Sequence, residues 1–166
     1  MMKVLVADSI AKEGVEFLRQ HAEVTVKTGL KPEELKNEIG DYDALIVRSK
    51  TQVPADIIES GKKLKVIGRA GVGTDNIDVD AATRKGIVVV NAPAGNTVSA
   101  AEHTIALMLA LARNIPQANS QLKSGKWQKE QLVGTELRNK TLGIIGIGNV
   151  GSEIAKRAQA FEMRVI

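Results

Sequence analysis

The chain has 166 residues, 43% of them hydrophobic and 25% charged, which is the composition of a globular protein with room for one complete domain and part of another. There is no cysteine, and the two histidines, His21 and His103, lie far apart, so the sequence excludes a disulfide framework and thiol chemistry and predicts no metal site. The net charge of +4 suits an anionic ligand, whereas an aromatic content of 2% and the lack of a basic run argue against nucleic-acid binding.

The first half of the chain alternates strand-like and helix-like segments. Five short apolar runs predict strands at Lys3–Ala7, Glu23–Lys27, Ala44–Val47, Lys65–Ile67 and Ile87–Val90. Helical or turn segments lie between them at Ala11–Gln20, Pro32–Ile39, Ala55–Ser60 and Val79–Arg84. This alternation is typical of a parallel sheet, so we expect residues 1–95 to form a small α/β domain of the flavodoxin-like, doubly wound type.

Two arginines follow neighbouring strands of this predicted sheet, where ligands of doubly wound domains bind. Arg48 comes after the third strand and Arg69 after the fourth, so we expect them to flank one crevice. A guanidinium matches a carboxylate or a phosphate, although each arginine could instead pair with a nearby acid such as Asp43 or Asp75. The segment Gly71-Val72-Gly73 could present backbone amides to a carboxylate, or it could be only a turn.

The middle of the chain predicts a long helix from Thr97 to about Gln121, kinked or broken at Pro116. Its apolar stripe is typical of core packing or of a subunit contact and consists of Ile105, Met108, Leu109 and Ala112. A lone histidine on a helix, such as His103 here, is more often structural than catalytic. The apolar run is much shorter than the roughly 18 residues that span a bilayer, so we expect a cytoplasmic protein with no membrane contact.

A glycine-rich turn at residues 146–151 follows an apolar run, Leu142, Ile144 and Ile145, that predicts a buried parallel strand. A helical pattern starts after the turn, at Ser152. The segment reads G-x-G-x-x-G, and in the order strand, turn, helix it predicts a dinucleotide-binding unit. Gly146 permits the sharp turn, Gly148 lets a pyrophosphate approach the backbone, and Gly151 lets the helix lie close to the strand. The alternative is a glycine-rich turn without a ligand. The acid that would distinguish NAD from NADP falls after Ile166, so residues 96–166 predict only the beginning of a Rossmann domain.

Taken together, six segments resemble the D-isomer-specific 2-hydroxyacid dehydrogenases, and among them the branch that acts on phosphoglycerate. The segments are Ala44–Ser49, Gly68–Asp78, Ala81–Gly86, Asn91–Glu102, Ser124–Trp127 and Gly134–Gly151. The resemblance implies a two-domain enzyme in which residues 1–95 belong to the substrate-binding domain and residues 96–166 begin the NAD-binding domain.

The resemblance also implies site residues by position. Substrate-binding positions are Arg48, Arg69, Gly71, Val72 and Asn96. Cofactor-binding positions are Val72, Thr97, Gly146, Gly148, Asn149, Val150 and Gly151. Lys129 matches a basic residue that in some members reaches the substrate phosphate of a neighbouring subunit. The arginine, glutamate and histidine of the family's chemistry correspond to positions after Ile166, so no catalytic residue is expected within the chain.

The activity implied is the NAD-dependent oxidation of 3-phosphoglycerate to 3-phosphohydroxypyruvate, in serine biosynthesis, by a homodimer or homotetramer. These 166 residues alone are expected to be inactive. One alternative is a glyoxylate or hydroxypyruvate reductase, which needs no phosphate site. Another is a dinucleotide-binding interaction protein similar to the corepressors built on this scaffold, and a third is a structural fragment that binds nothing.

Overall fold

The computed structural model describes residues 1–166 and separates them into two compact units, Met1–Gly95 and Asn96–Ile166. In the first unit, five short apolar runs pair into one parallel sheet. Its strands are β1 (Lys3–Val6), β2 (Glu23–Val26), β3 (Ala44–Val47), β4 (Val66–Arg69) and β5 (Val88–Asn91). Their spatial order is β2-β1-β3-β4-β5, which is the flavodoxin-like order, so the predicted fold of this half is confirmed.

Helices cover both faces of this sheet. They are α1 (Lys12–Arg19), α2 (Pro32–Glu38), α3 (Ala55–Ser60) and α4 (Val79–Arg84). Since successive strand residues point to opposite faces, Leu5 and Leu45 join a buried cluster with residues of α2, α3 and α4. Val4 and Val6 join a smaller cluster on the side of α1. Burial on both faces explains why the central strands are apolar almost throughout.

The strand order places β1 next to β3, although β2 lies between them in sequence, with Val6 opposite Ile46. The chain leaves β1 toward one edge of the sheet and leaves β3 toward the other. At such a switch point the connections diverge and leave a crevice beyond the carboxyl ends of the strands.

The second unit begins with α5 (Thr97–Ala112) and α6 (Ile115–Lys123), where the sequence predicted one long helix. The break falls at Asn114, whose φ of 51° is left-handed. Pro116 has no amide to donate to the carbonyl of Ala112, and that carbonyl accepts the amide of Thr135 at 2.8 Å instead. The predicted interruption therefore occurs just before the proline.

A small βαβ unit completes the second half, consistent with the beginning of a Rossmann domain. It consists of β6 (Thr141–Leu142), α7 (Asn149–Ala160) and the parallel strand β7 (Arg164–Val165). Two local expectations were wrong. The helix begins at Asn149 rather than Ser152, because the Ser152 amide already closes the first turn on the Gly148 carbonyl at 2.9 Å. Ile145, expected in a buried strand, is fully exposed because the two-stranded sheet leaves it uncovered.

No helix in either unit combines the length and the apolar character that crossing a membrane would require.

Candidate functional site

The loop after β3, Arg48–Thr51, is anchored by a buried carboxylate at the end of β1. Asp8 is only 4% exposed. Its Oδ2 accepts the backbone amides of Arg48 at 2.6 Å and Thr51 at 3.1 Å, and its Oδ1 accepts the Thr51 hydroxyl at 2.8 Å. Burial raises the pKa of Asp8, but these hydrogen bonds together outweigh burial and hold the pKa below its usual value. Asp8 therefore stays ionised beneath the loop.

The same loop is held from its other side by Asn76, which is also 4% exposed. The Nδ2 group of Asn76 donates to the carbonyl oxygens of Arg48 at 2.8 Å and Thr51 at 2.6 Å. Asp8 thus accepts hydrogen bonds from the backbone amides of Arg48 and Thr51, the first and last residues of the loop. Asn76 donates hydrogen bonds to the backbone carbonyls of the same two residues. Arg48, Ser49 and Lys50 project outward with exposed side chains.

A cavity of about 520 Å³ opens beside this loop, at the carboxyl ends of β1, β2 and β3. Arg48, Lys50, Ser9 and Thr28 are among its lining residues, and so is Asp8, whose carboxylate oxygens already accept donors from the loop. We call it the anion cavity. The Nη1 of Arg48 lies 3.5 Å from the carbonyl oxygen of Ser9. Neither Arg48 nor Lys50 has a carboxylate within salt-bridge distance. Two unpaired cations and two hydroxyls can therefore bind a phosphate or carboxylate here.

Arg69 does not line the anion cavity. Its half-buried side chain lies across Gly71, where an added β-carbon would collide with the guanidinium. The Nε atom of Arg69 is buried without a hydrogen-bond partner. Within the first unit, the two arginines therefore occupy different positions rather than flanking one cavity. The alternative of local ion pairs is not observed, because Asp43 binds Lys65 at 2.9 Å.

The turn after β4 is fixed by the end of β5. The amide of Gly71 donates to the carbonyl of Arg69 at 2.8 Å, and the carbonyl of Gly71 accepts the amide of Ala92 at 2.9 Å. The side chain of Asn91 donates to the carbonyl of Val72 at 2.5 Å. The Gly71 amide is therefore occupied, and the amides of Val72 and Gly73 remain as donors for a ligand.

The sequence places Asp8 and Asn91 at strand ends but predicted no role for them, nor for Asn76. Each is a polar side chain that either ends an apolar strand or follows one in the next connection, and Asp8 and Asn76 are buried. The one local signal was a polar residue close after a buried strand. This signal does not tell which group the side chain will hydrogen-bond.

The second unit contains the remaining predicted site residues. Asn96 is exposed and precedes α5, with its carbonyl accepting the Ala100 amide at 2.9 Å. Thr97 is the first residue of α5 and is partly buried. Lys129 is exposed in a short 3₁₀ turn, Lys129–Leu132.

The glycine turn adopts the geometry that its spacing predicts. Gly146 has a φ of +97°, a conformation that favours glycine. An added β-carbon at Gly151 would collide with the carbonyl of Gly146, whereas one at Gly148 would meet nothing within 4 Å. Asn149 and Val150 open α7, so their amides have no intrahelical acceptor and carry the positive end of the helix dipole. These residues fit a dinucleotide pyrophosphate.

The acidic and histidine side chains of α5 do not form a catalytic pair. Glu102 lies 3.2 Å from Arg157 of α7, which also binds Glu153 at 2.6 Å. His103 is exposed. No group of three or more histidine, aspartate or glutamate side chains is arranged to hold a metal ion.

A doubly wound sheet followed by a strand, a G-x-G-x-x-G turn and a helix defines the class of dinucleotide-binding α/β proteins. The chain belongs to the D-isomer specific 2-hydroxyacid dehydrogenases, a family of oxidoreductases, because the model of that family's catalytic domain matches residues 4–163. The resemblance stated from the motifs is therefore confirmed.

Curated relatives and solved structures agree with this assignment. The chain is 58% identical to D-3-phosphoglycerate dehydrogenase of Archaeoglobus fulgidus over 99% of its length, but it spans only 32% of that relative. It matches a Thermus thermophilus crystal structure with a TM-score of 0.91 and 36% identity, covering 99% of this chain and 55% of the other. It also matches the NAD⁺-bound 3-phosphoglycerate dehydrogenase of Entamoeba histolytica with a TM-score of 0.78 and 34% identity, over 99% and 52% of the two chains.

Proposed function

We propose that a complete family member carrying this chain, which we call the parent protein, oxidises 3-phosphoglycerate to 3-phosphohydroxypyruvate with NAD as the cofactor. The 58% identity to a relative named D-3-phosphoglycerate dehydrogenase supports this proposal. The structural observation that carries it is the anion cavity, where Arg48 and Lys50 lie unpaired beside hydroxyl groups. Two neighbouring cations suit a doubly charged phosphate better than a singly charged carboxylate.

The substrate-binding residues of the proposal lie after β3 and β4 and before α5. Arg48 and Lys50 would hold the phosphate, as charge-assisted donors do in general. Arg69 and the Val72 amide, next to Gly71, would bind other oxygens of the acid. No carboxylate lies within salt-bridge distance of Arg69, which is consistent with this role because its guanidinium is not neutralised by a local acid. By the resemblance, Asn96 is also proposed as a substrate-binding residue.

The cofactor-binding residues of the proposal are those of the glycine turn and two preceding positions. They are Val72, Thr97, Gly146, Gly148, Asn149, Val150 and Gly151. The open space at Gly148 and the free amides at the start of α7 fit a pyrophosphate. NAD supplies hydride acceptance in this chemistry, and the residues named here bind and orient it.

We propose that the 166 residues alone do not catalyse the reaction. By the resemblance, the arginine, glutamate and histidine of the chemistry correspond to positions after Ile166. In the parent protein, the histidine would take the substrate hydroxyl proton as a general base.

We also propose that the parent protein is a homodimer or homotetramer. The helices α5 and α6 expose Leu107, Leu111, Ile115 and Leu122, each more than half accessible to solvent, and such surfaces mark interaction sites. Lys129 would then reach the substrate phosphate of a neighbouring subunit. Sedimentation of the parent protein as a monomer would contradict this proposal.

The substrate is tested by following NADH formation by the parent protein with 3-phosphoglycerate and with D-glycerate, which lacks the phosphate. We expect Arg48→Ala and Lys50→Ala each to raise KM for 3-phosphoglycerate about tenfold, with a smaller effect for D-glycerate. Lys62→Ala, an exposed lysine of the same unit, is the matched control.

Other outcomes favour the alternatives. Equal turnover of glyoxylate or hydroxypyruvate, unaffected by substitution of Arg48 or Lys50, would favour the reductase. NADH-dependent binding of a protein partner without turnover would favour the corepressor-like function.

A further inference from the structure

We infer that Asp8 and Asn76 are positioning residues for anion binding, because together they hold the Arg48–Thr51 loop in the form that presents Arg48 and Lys50 to the anion cavity. This inference rests on the proposed function of that cavity. Neither residue is expected to touch the ligand.

The hydrogen bonds divide the loop between the two side chains. Asp8 accepts both amides, from Arg48 at 2.6 Å and from Thr51 at 3.1 Å. Asn76 donates to both carbonyls, at 2.8 Å for Arg48 and 2.6 Å for Thr51. All four backbone polar groups at the two ends of the loop are thus bonded to two buried side chains. Ser49 and Lys50, between these ends, have exposed side chains and line the anion cavity.

Asp8 and Asn76 belong to different parts of the sheet. Asp8 follows β1, the loop follows β3, and Asn76 lies in the connection between β4 and α4. The loop is therefore fixed relative to two other connections of the first unit rather than by its own sequence alone. Since a preformed loop loses less conformational entropy when an anion binds, removal of either anchor should weaken binding without removing a ligand contact.

Asp8 does not act by charge. Its carboxylate is buried, and both oxygens already accept donors from the loop. In an Asp8→Asn variant, the amide oxygen can accept the two backbone amides and the amide NH₂ can donate to the Thr51 hydroxyl. That variant keeps the anchor and removes the charge, whereas Asp8→Ala leaves two amides without partners.

The test titrates 3-phosphoglycerate, and separately inorganic phosphate, into the ¹⁵N-labelled 166-residue chain and follows the amides of residues 48–51. We expect Asp8→Ala to weaken 3-phosphoglycerate binding about tenfold and Asp8→Asn to bind at least as well as the wild type. Thr51→Val is the milder variant should Asp8→Ala fail to fold, and it should weaken binding about threefold. Lys85→Met removes the hydrogen bonds that Lys85 Nζ donates to the carbonyls of Ile58 and Glu59, away from the cavity. This variant should lower stability but leave the affinity unchanged.

The outcomes separate the inference from the proposed function. If the wild type binds and both Asp8→Ala and Thr51→Val bind equally well, the positioning role is overturned and the cavity keeps its proposed ligand. If Lys85→Met weakens binding as much as Asp8→Ala, the effect follows stability and the positioning role is again overturned. If the wild type binds neither 3-phosphoglycerate nor phosphate, the proposed function of the cavity fails and the inference fails with it.

Discussion

At the residue scale, Gly71 makes room for the side chain of Arg69. The guanidinium of Arg69 occupies the space in which a side chain at position 71 would lie. The backbone at Gly71 does not have the positive φ that would by itself favour glycine. Glycine is therefore needed here for the arginine, not for the turn.

We predict that Gly71→Ala displaces Arg69 and raises KM of the parent protein for 3-phosphoglycerate about tenfold, because a charged hydrogen bond is lost. Gly14→Ala is the control, since its added β-carbon would lie 3.8 Å from the Ile10 side chain, an ordinary contact. Steady-state kinetics of both variants measure the effect. An unchanged KM for Gly71→Ala would show that Arg69 does not bind substrate from this position.

A second residue-scale prediction concerns how the stability of the chain depends on pH through Asp8. The folded pKa of Asp8 lies below its usual value of 3.8, so the unfolded chain binds the proton more tightly. The stability contributed by ionised Asp8 is therefore fully present above about pH 4 and is lost as the pH falls through the folded pKa. Asp8→Asn should lack this contribution at every pH.

Urea unfolding between pH 6 and pH 3 measures this contribution. The comparison with Asp8→Asn isolates Asp8 from the other acids with lowered pKa values, Asp43, Asp56 and Glu153. The difference in free energy of unfolding between wild type and Asp8→Asn should shrink below about pH 4. A difference independent of pH would contradict the assigned pKa direction.

At the scale of elements, the end of α3 depends on a lysine from α4. The Nζ of Lys85 donates to the carbonyls of Ile58 and Glu59 at 2.7 Å and to that of Gly61 at 3.3 Å. Helix ends leave such carbonyls unpaired, and a cation near them is favourable. We predict that Lys85→Met lowers the free energy of unfolding by about 1–3 kcal/mol, measured by urea denaturation. The exposed Lys62→Met is the control, and equal stability of the two variants would contradict the capping role.

In the glycine turn, two substitutions should differ in their effects on stability and on NAD binding. Gly148→Ala should leave stability unchanged, because its β-carbon meets no atom within 4 Å, yet it should weaken NAD binding by obstructing the pyrophosphate. Gly151→Ala should reduce both stability and binding, since its β-carbon collides with the Gly146 carbonyl. Thermal unfolding with and without NAD distinguishes the two variants. Undiminished NAD affinity of Gly148→Ala would exclude a close approach of the pyrophosphate.

Helices, strands and turns were predictable where neighbouring residues in the sequence determine them. Hydrophobic periodicity located the five strands of the first unit, and glycine spacing predicted the turn before α7. The exposure of Ile145 was not predictable, because it depends on how many strands cover the residue. The anchors of the Arg48–Thr51 loop were not predictable either, since Asp8 lies 40 residues from Arg48 in sequence. Non-local hydrogen bonds leave no periodic pattern.

At the scale of the whole molecule, most of the proposed substrate-binding residues lie in one compact unit and most of the proposed cofactor-binding residues lie in the other. Residues 1–95 carry the anion cavity, and residues 96–166 carry the glycine turn. The chain spans about a third of the curated relatives it matches, so turnover is a property to be measured on the parent protein. Ligand binding by each unit can be measured on this chain.

The most direct measurement is a ¹⁵N NMR titration of the 166-residue chain with NAD and with 3-phosphoglycerate in separate samples. We predict that NAD shifts the amide resonances of residues 148–151 and that 3-phosphoglycerate shifts those of residues 48–51. Millimolar NAD that leaves residues 146–151 unshifted, or 3-phosphoglycerate that shifts only residues remote from the anion cavity, would contradict this prediction.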